Sequence, residues 1–447
     1  MHINSLWPIE RAEARLAEMN LPKPKLAVIG TGIAGLSSAW LLKQKYDVTI
    51  FESQPRAGMG VYTIDYRSNG IESRIDIPLR IFCRGYYDNL MALYKEIGVD
   101  VLGSDHAGAF ADGKGEMILH YGNSNLGLGN FSHFKGRSWF SPRAWSLGLE
   151  SRRFFARAKR DMQDTAKLAD LSFGEYLDQA SGEPEFVDIV LMPMMSVTCT
   201  CDYQAVRDYP ADIMLEYLTC GVHELGIMSA AGGVDDIVPR LLKNIDLRTN
   251  SAIANIAECE SGLSVTTVDG ESDIFDHVVV AAQAQQAAKM IAKFDQQKAL
   301  LERIPFQKSV MSVHTDTDLL PASDTDLSPV SYHLPQGEAR AEVSVDLSKA
   351  IARLSGQESV FQTWNPLRPI AANKLLASLE FTRPTVTRDS RRAVAQLRDQ
   401  QSHAGNRLWL CGSYMADKIP LLEAAVDSAV SVAEQLGADI PWKPVPA

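Results

Sequence analysis

Between residues 26 and 52 the chain runs a short apolar segment, a glycine-spaced turn, a helix-forming stretch and a second apolar segment ending in an acid. Leu26-Ala27-Val28-Ile29 is the kind of unbroken apolar run that sits inside a parallel sheet, buried on both faces. In Gly30-Thr31-Gly32-Ile33-Ala34-Gly35 the first glycine permits a tight turn and the second lets backbone approach a pyrophosphate. The third lets the helix lie close on the strand. A helix over 34–45 then aims its free N–H groups and dipole at phosphate, with Ile33 and Ala34 at its start. Val48-Thr49-Ile50-Phe51 reads as the second strand, and Glu52 stands 22 residues after Gly30. That spacing suits a carboxylate accepting from an adenosine ribose, with Ser53 beside it. Framed by strand, helix, strand and acid, the motif predicts a dinucleotide site.

A chain of 447 residues accommodates two domains, or one large nucleotide-binding domain with a second inserted in it. Its 46% apolar and 22% charged residues are ordinary for a globular protein. The net charge of −11 argues against nucleic acid as a partner. Six cysteines lack the regularity of a disulfide framework, which points to a reducing, cytoplasmic setting. No apolar run reaches the length of a membrane span. Ile9, Ala12, Leu16 and Met19 recur at helical spacing, so residues 1–25 are expected to form a helical extension, not a signal peptide.

Beyond residue 103 the βαβ rhythm lapses. Residues 104–228 hold Trp139, Phe140, Trp145, Phe154 and Phe155 among helical stretches. Within them Arg152, Arg153, Arg157, Lys159 and Arg160 make a basic helix face, either solvated or suited to an anionic lipid surface or an acidic substrate tail. The nucleotide-binding character returns with Ala231-Gly232-Gly233 and a helix around 235–243. A strand over 245–249, a hairpin over 253–268 turning at Gly262, and the buried strand Val278-Val279-Val280 follow. An irregular block spans 308–400, and a final strand over 407–412 leads to a helix over 421–436. The expected architecture is α/β: a discontinuous Rossmann-type domain (26–103, 229–307 and 401–447) carrying an inserted mixed α+β substrate domain (104–228 and 308–400).

This three-piece layout resembles the superfamily of FAD-dependent amine oxidases and phytoene desaturases, and most closely its subgroup of predicted NAD/FAD-binding proteins. Gly30, Gly32, Gly35, Glu52, Arg56 and Gly58 match the opening signature, whereas Met59 replaces the second glycine of a pair. Asp76-Ile77-Pro78-Leu79-Arg80 matches the segment that passes the flavin edge, with proline in place of glycine. The resemblance implies glutathione-reductase-like topology and an FAD cofactor held without a covalent bond. It places Ile253 at the adenine, Ala281 before a domain crossing, and Gly412, Ser413, Leu421 and Leu422 at the flavin pyrimidine. Arg56 and Gly58 argue against NAD as the sole nucleotide.

Flavin enzymes leave the redox chemistry to the cofactor, so a substrate tunnel is expected instead of a catalytic triad. The aromatic wall that relatives place two residues before the helix glutamate is Leu421 here, which favours an apolar substrate over a cationic amine. Lys308 falls where relatives carry a lysine near flavin N5; its plain reading is an exposed strand residue. Arg80 interrupts an apolar run, and is either a stabiliser of reduced flavin or bound anion, or an arginine paired to Glu52, Asp76 or another carboxylate. His314 is a candidate general base, or a structural histidine. Dehydrogenation of an apolar small molecule is the first expectation. A redox-neutral isomerase or cyclase, and an FAD-binding protein without catalysis, are the alternatives; the oligomeric state is left open.

Overall fold

The computed structural model describes residues 22–443, save 61, 126–129, 180–182, 222–225 and 322–327. The expected leading helix falls almost wholly outside the described residues.

The nucleotide-type core is a five-stranded parallel sheet. Its order is Asp246–Arg248, Asp47–Phe51, Lys25–Ile29, His277–Val280, Leu408–Leu410. The opening strand is central, and Leu26, Ala27 and Val28 have no solvent exposure, which is why that segment is apolar throughout. Alternate residues serve opposite cores. Leu26, Val28, Val279 and Trp409 pack with the helices Ile33–Leu42, Val234–Leu242 and Leu422–Gln435. Ala27, Ile29, Val278, Val280 and Leu410 face the helices Ala284–Met290 and Arg388–Gln401 on the other side.

Two features differ from the sequence reading. The 253–268 segment is not a lone hairpin: Ile253–Cys259, Gly262–Thr267 and Ser272–Phe275 form a three-stranded antiparallel sheet. Gly262 begins the second strand, where a Cβ would strike the Phe275 carbonyl. The block 308–400 is also regular. With residues 108–134 it builds an eight-stranded sheet, ordered Leu375–Pro384, Phe306–His314, Phe361–Trp364, Glu342–Asp346, Val330–Leu334, Gly108–Asp112, Met117–Asn125, Asn130–Phe134. Only the Val330–Leu334 and Gly108–Asp112 pair is parallel. Its buried positions include Ser312, Ser344, Gln362 and Thr363, and these polar residues hide the alternation. Their side chains find partners across strands: Ser344 Oγ lies 2.7 Å from Thr363 Oγ1 and Ser312 Oγ 3.1 Å from Ser378 Oγ.

Helices between residues 142 and 219 cover this sheet. On the basic helix Pro142–Asp161, Phe154 is buried and Arg157 pairs with Glu183 at 3.1 Å. Arg152 and Arg153 are exposed, as are Trp139, Phe140 and Trp145 nearby. Among the described residues no helix is long and apolar enough to cross a membrane.

Candidate functional site

The glycine-spaced turn carries three different constraints. Gly30 has φ +103°, in the left-handed region, and a Cβ there would press on the Ala281 carbonyl. At Gly35 a Cβ would collide with the Gly30 carbonyl and the Ala281 side chain. At Gly32 it would meet nothing within 4 Å, so the space beside that residue is open. Gly32 is also the N-cap of Ile33–Leu42 and supplies no side-chain cap, leaving the first N–H groups of the helix facing that space.

Glu52 closes the turn from the side. One carboxylate oxygen accepts from Thr31 N at 3.0 Å and from Thr31 Oγ1; the other accepts from Gln54 N at 2.9 Å and Ser53 Oγ at 3.2 Å. The carboxylate therefore shapes the glycine loop itself, a role the sequence motif alone does not reveal. Arg56 is exposed. Met59 is buried, adopts φ +55° and donates its N–H to Thr31 O at 3.0 Å. It thus takes the left-handed backbone that a glycine would adopt freely.

The segment 76–80 is tied both to the eight-stranded sheet and to the helix Val234–Leu242. Gln362, from the eight-stranded sheet, accepts from Leu79 N at 2.9 Å and donates to Asp76 O at 2.7 Å. The Asp76 carboxylate pairs with Arg353 at 3.1 Å and accepts from Val234 N at 3.1 Å, so it is committed to structure. Arg80 is paired to neither Glu52 nor Asp76. Its Nη2 donates to the carbonyls of Met59 and Gly60, both at 3.3 Å, and its buried Nε has no partner. Burial lowers the pKa of this guanidinium.

Arg80 and Leu79 open onto a cavity of about 1070 Å³. Leu421 and Leu422 form part of its wall, where Leu422–Gln435 begins without a side-chain cap. Tyr87, Tyr217, Tyr332 and Trp364 supply aromatic surface, and Met194, Val343 and Val345 aliphatic surface. Tyr332 stacks on Phe110 at 4.3 Å, which fixes its ring. Several polar lining residues, Gln362, His106 and Arg383 among them, carry no signal in the sequence motifs. Burial holds the His106 imidazole down at about 4, so it is neutral at physiological pH.

Two candidates lie elsewhere. Lys308 Nζ pairs with Glu380 at 2.9 Å on an exposed face and does not line the cavity. His314 is fully buried, with Nε2 2.6 Å from Thr363 Oγ1 and Nδ1 accepting from Asp316 N at 3.1 Å. Both nitrogens are occupied and burial lowers its pKa, which fits a sheet-locking role better than a general base. Ile253 is buried, Ala281 backs the glycine turn, and Ser413 follows Gly412 at the end of the parallel sheet. Cys411 is enclosed between Ser38 and Ser428 at 3.4 and 3.3 Å.

Residues 28–97 match the NAD(P)-binding Rossmann-like domain family. Zeta-carotene desaturase of Solanum lycopersicum is 39% identical over 100 residues, covering 22% of this chain and 16% of the relative. The Zea mays protein of the same name is 40% identical over 101 residues, covering 22% and 17%. The matched segment thus spans about a sixth of those curated relatives. Among solved structures, putrescine oxidase bound to putrescine superposes with a TM-score of 0.63 at 12% identity, covering 93% of this chain and 99% of that one. Cyclohexylamine oxidase from Brevibacterium oxydans gives 0.62 at 14%, covering 93% and 100%. The distant structural likeness speaks for the fold, and the desaturase likeness for the opening segment. Together they show a Rossmann-type nucleotide-binding opening segment and an overall fold like that of these oxidases.

Proposed function

We propose that the protein is an oxidoreductase that binds FAD without a covalent bond and dehydrogenates a small molecule with an apolar body. The observation that carries this reading is the large cavity meeting the uncapped N-terminus of Leu422–Gln435 on one side and the Pro78–Arg80 segment on another. A helix N-terminus favours the negative charge that a flavin gains at its pyrimidine edge on reduction. The residues present suit the cofactor: open space beside Gly32, uncapped N–H groups at Ile33–Leu42, and a buried Arg80 Nε without a partner.

In this reading Gly30, Gly32, Ile33, Ala34 and Gly35 hold the pyrophosphate, and Glu52 and Ser53 the adenosine ribose. Arg56, Gly58 and Met59 cover that part, and Ile253 and Ala281 border the adenosine side. Leu79, Arg80, Gly412, Ser413, Leu421 and Leu422 surround the flavin. FAD supplies the acceptor for two electrons, while the protein binds, orients and excludes water. The aliphatic Leu421 in the wall supports an apolar substrate over an amine, and six free cysteines support a reducing compartment such as the cytoplasm.

The test is anaerobic mixing of FAD-loaded protein with panels of polyenes, acyl chains and amines. Loss of the oxidised flavin band with an apolar compound supports the proposal; loss with amines alone refutes the apolar reading. Conversion of a compound with neither bleaching nor acceptor consumption would favour a redox-neutral isomerase, which the unpaired Arg80 would serve equally well.

A further inference from the structure

Resting on that reading of the cavity, we propose that its substrate carries a carboxylate, received by Arg383 together with Arg80. Arg383 stands near the end of the strand Leu375–Pro384, and Arg80 in the segment after Ile77-Pro78. The eight-stranded sheet and the segment after Ile77-Pro78 bring both arginines to the lining of one cavity.

The charges around that cavity are unbalanced. Arg80, Arg84 and Arg383 line it, against Asp105 as the one carboxylate among the described lining residues. Asp105 accepts from Ala107 N at 2.9 Å. The Arg383 side chain makes no hydrogen bond or ion pair with the described residues, and that of Arg80 reaches only two carbonyl oxygens. Burial, then the neighbouring Arg80, lowers the Arg383 guanidinium to about 9. Other acids nearby are engaged: Asp76 with Arg353, Glu216 with Lys418, and Glu423 with the N–H groups of Asn89 and Leu90.

Elsewhere several partly buried arginines are ion-paired, while Arg398 donates to the Met415 carbonyl. Arg157 has Glu183, Arg368 has Glu342, and Arg391 has Asp212 and Asp417. With 55 acidic residues against 44 basic ones, acids are not scarce. Two half-buried guanidinium groups that line one cavity, neither ion-paired with a described residue, are unfavourable unless an anion arrives to accept their hydrogen bonds. A carboxylate suits that pair, because a planar guanidinium donates to it in bidentate fashion. The remaining walls, with Met194, Val343, Val345 and Trp364, suit an apolar body. A cofactor phosphate is the other source of negative charge. Arg80 lies toward it, through Met59 and its bond to the glycine turn, whereas Arg383 comes from the substrate-side sheet.

The experiment titrates FAD-loaded protein with decanoate and, separately, with its neutral analogue decanamide, following the flavin absorption. We expect decanoate to bind at least tenfold more tightly. In Arg383→Met that preference disappears, decanamide affinity stays within twofold, FAD affinity is unchanged and the thermal midpoint does not fall. Arg383→Lys, which keeps a charge but not the fork, retains part of the preference. Equal binding of the two probes by the unaltered protein would overturn the proposal without any variant. So would an Arg383→Met protein that loses FAD but keeps its preference for decanoate, since the anion would then be the cofactor's. If the protein takes up no FAD, the same titrations followed by intrinsic tryptophan fluorescence decide separately. A carboxylate preference there sustains the anion site while the flavin reading falls, and its absence removes both.

Discussion

Gly32 and Gly35 lie three residues apart, and alanine at each should fail for a different reason. At Gly35 the new methyl group would enter the Gly30 carbonyl and the Ala281 side chain, both held by the central parallel sheet. Overpacking of a rigid core typically costs roughly 1–3 kcal/mol, and the neighbours here are hard to displace, so Gly35→Ala should lose about 3 kcal/mol. At Gly32 the backbone has φ −61° and ψ 165°, which alanine adopts without strain, and the methyl group meets no protein atom within 4 Å. Replacing an N-cap glycine by alanine should cost only about half a kcal/mol of stability. The methyl group would occupy the space assigned to the pyrophosphate, however, so FAD affinity should fall at least tenfold, or about 1.4 kcal/mol. Urea unfolding of the apoprotein measures the first effect and titration with FAD the second. A Gly32→Ala protein that keeps its FAD affinity within twofold would refute the cradle. A fully stable Gly35→Ala protein would refute the close packing of helix on strand.

Removing the Gln362 side chain should orphan the Leu79 N–H and Asp76 carbonyl together and cost about 3 kcal/mol; a loss below about 1 kcal/mol by urea unfolding would contradict its bridging role. Met59→Gly relieves about 1–2 kcal/mol of left-handed strain. It also removes a buried side chain worth about 2–3 kcal/mol, so net destabilisation of about 1 kcal/mol is expected; greater stability in the glycine variant would contradict this balance. Burial raises Glu423 to about 7, so its contribution to stability is present below the ordinary carboxylate range and is lost as pH rises through about 7. Glu423→Gln should therefore gain stability relative to the unaltered protein between pH ~5 and ~8. Thermal unfolding at the two pH values checks this, and an unchanged difference would refute it.

What could be read from the sequence follows from how locally each feature is encoded. The parallel sheet is legible because its strands are buried on both faces, so Leu26–Ile29 and Val278–Val280 need no alternation to stand out. The glycine turn is legible because backbone conformation and close approach demand glycine at fixed spacing. The eight-stranded sheet is not, because Ser312, Ser344, Gln362 and Thr363 are buried polar residues whose partners lie on other strands. Arg80 attracts attention by interrupting an apolar run. Arg383, in Phe381-Thr382-Arg383-Pro384, has no local signal and acquires interest only beside Arg80. Lys308 follows its plain reading as an exposed strand residue, but its ion pair with Glu380 depends on cross-strand register and has no local signal.

The most direct test of the account is the visible absorption spectrum of the purified protein, taken before and after denaturation. The account predicts the two-banded spectrum of oxidised flavin, with all of the colour released into the supernatant. Colour retained by the precipitate would contradict non-covalent binding. A colourless protein that takes up no FAD on reconstitution would contradict the central claim.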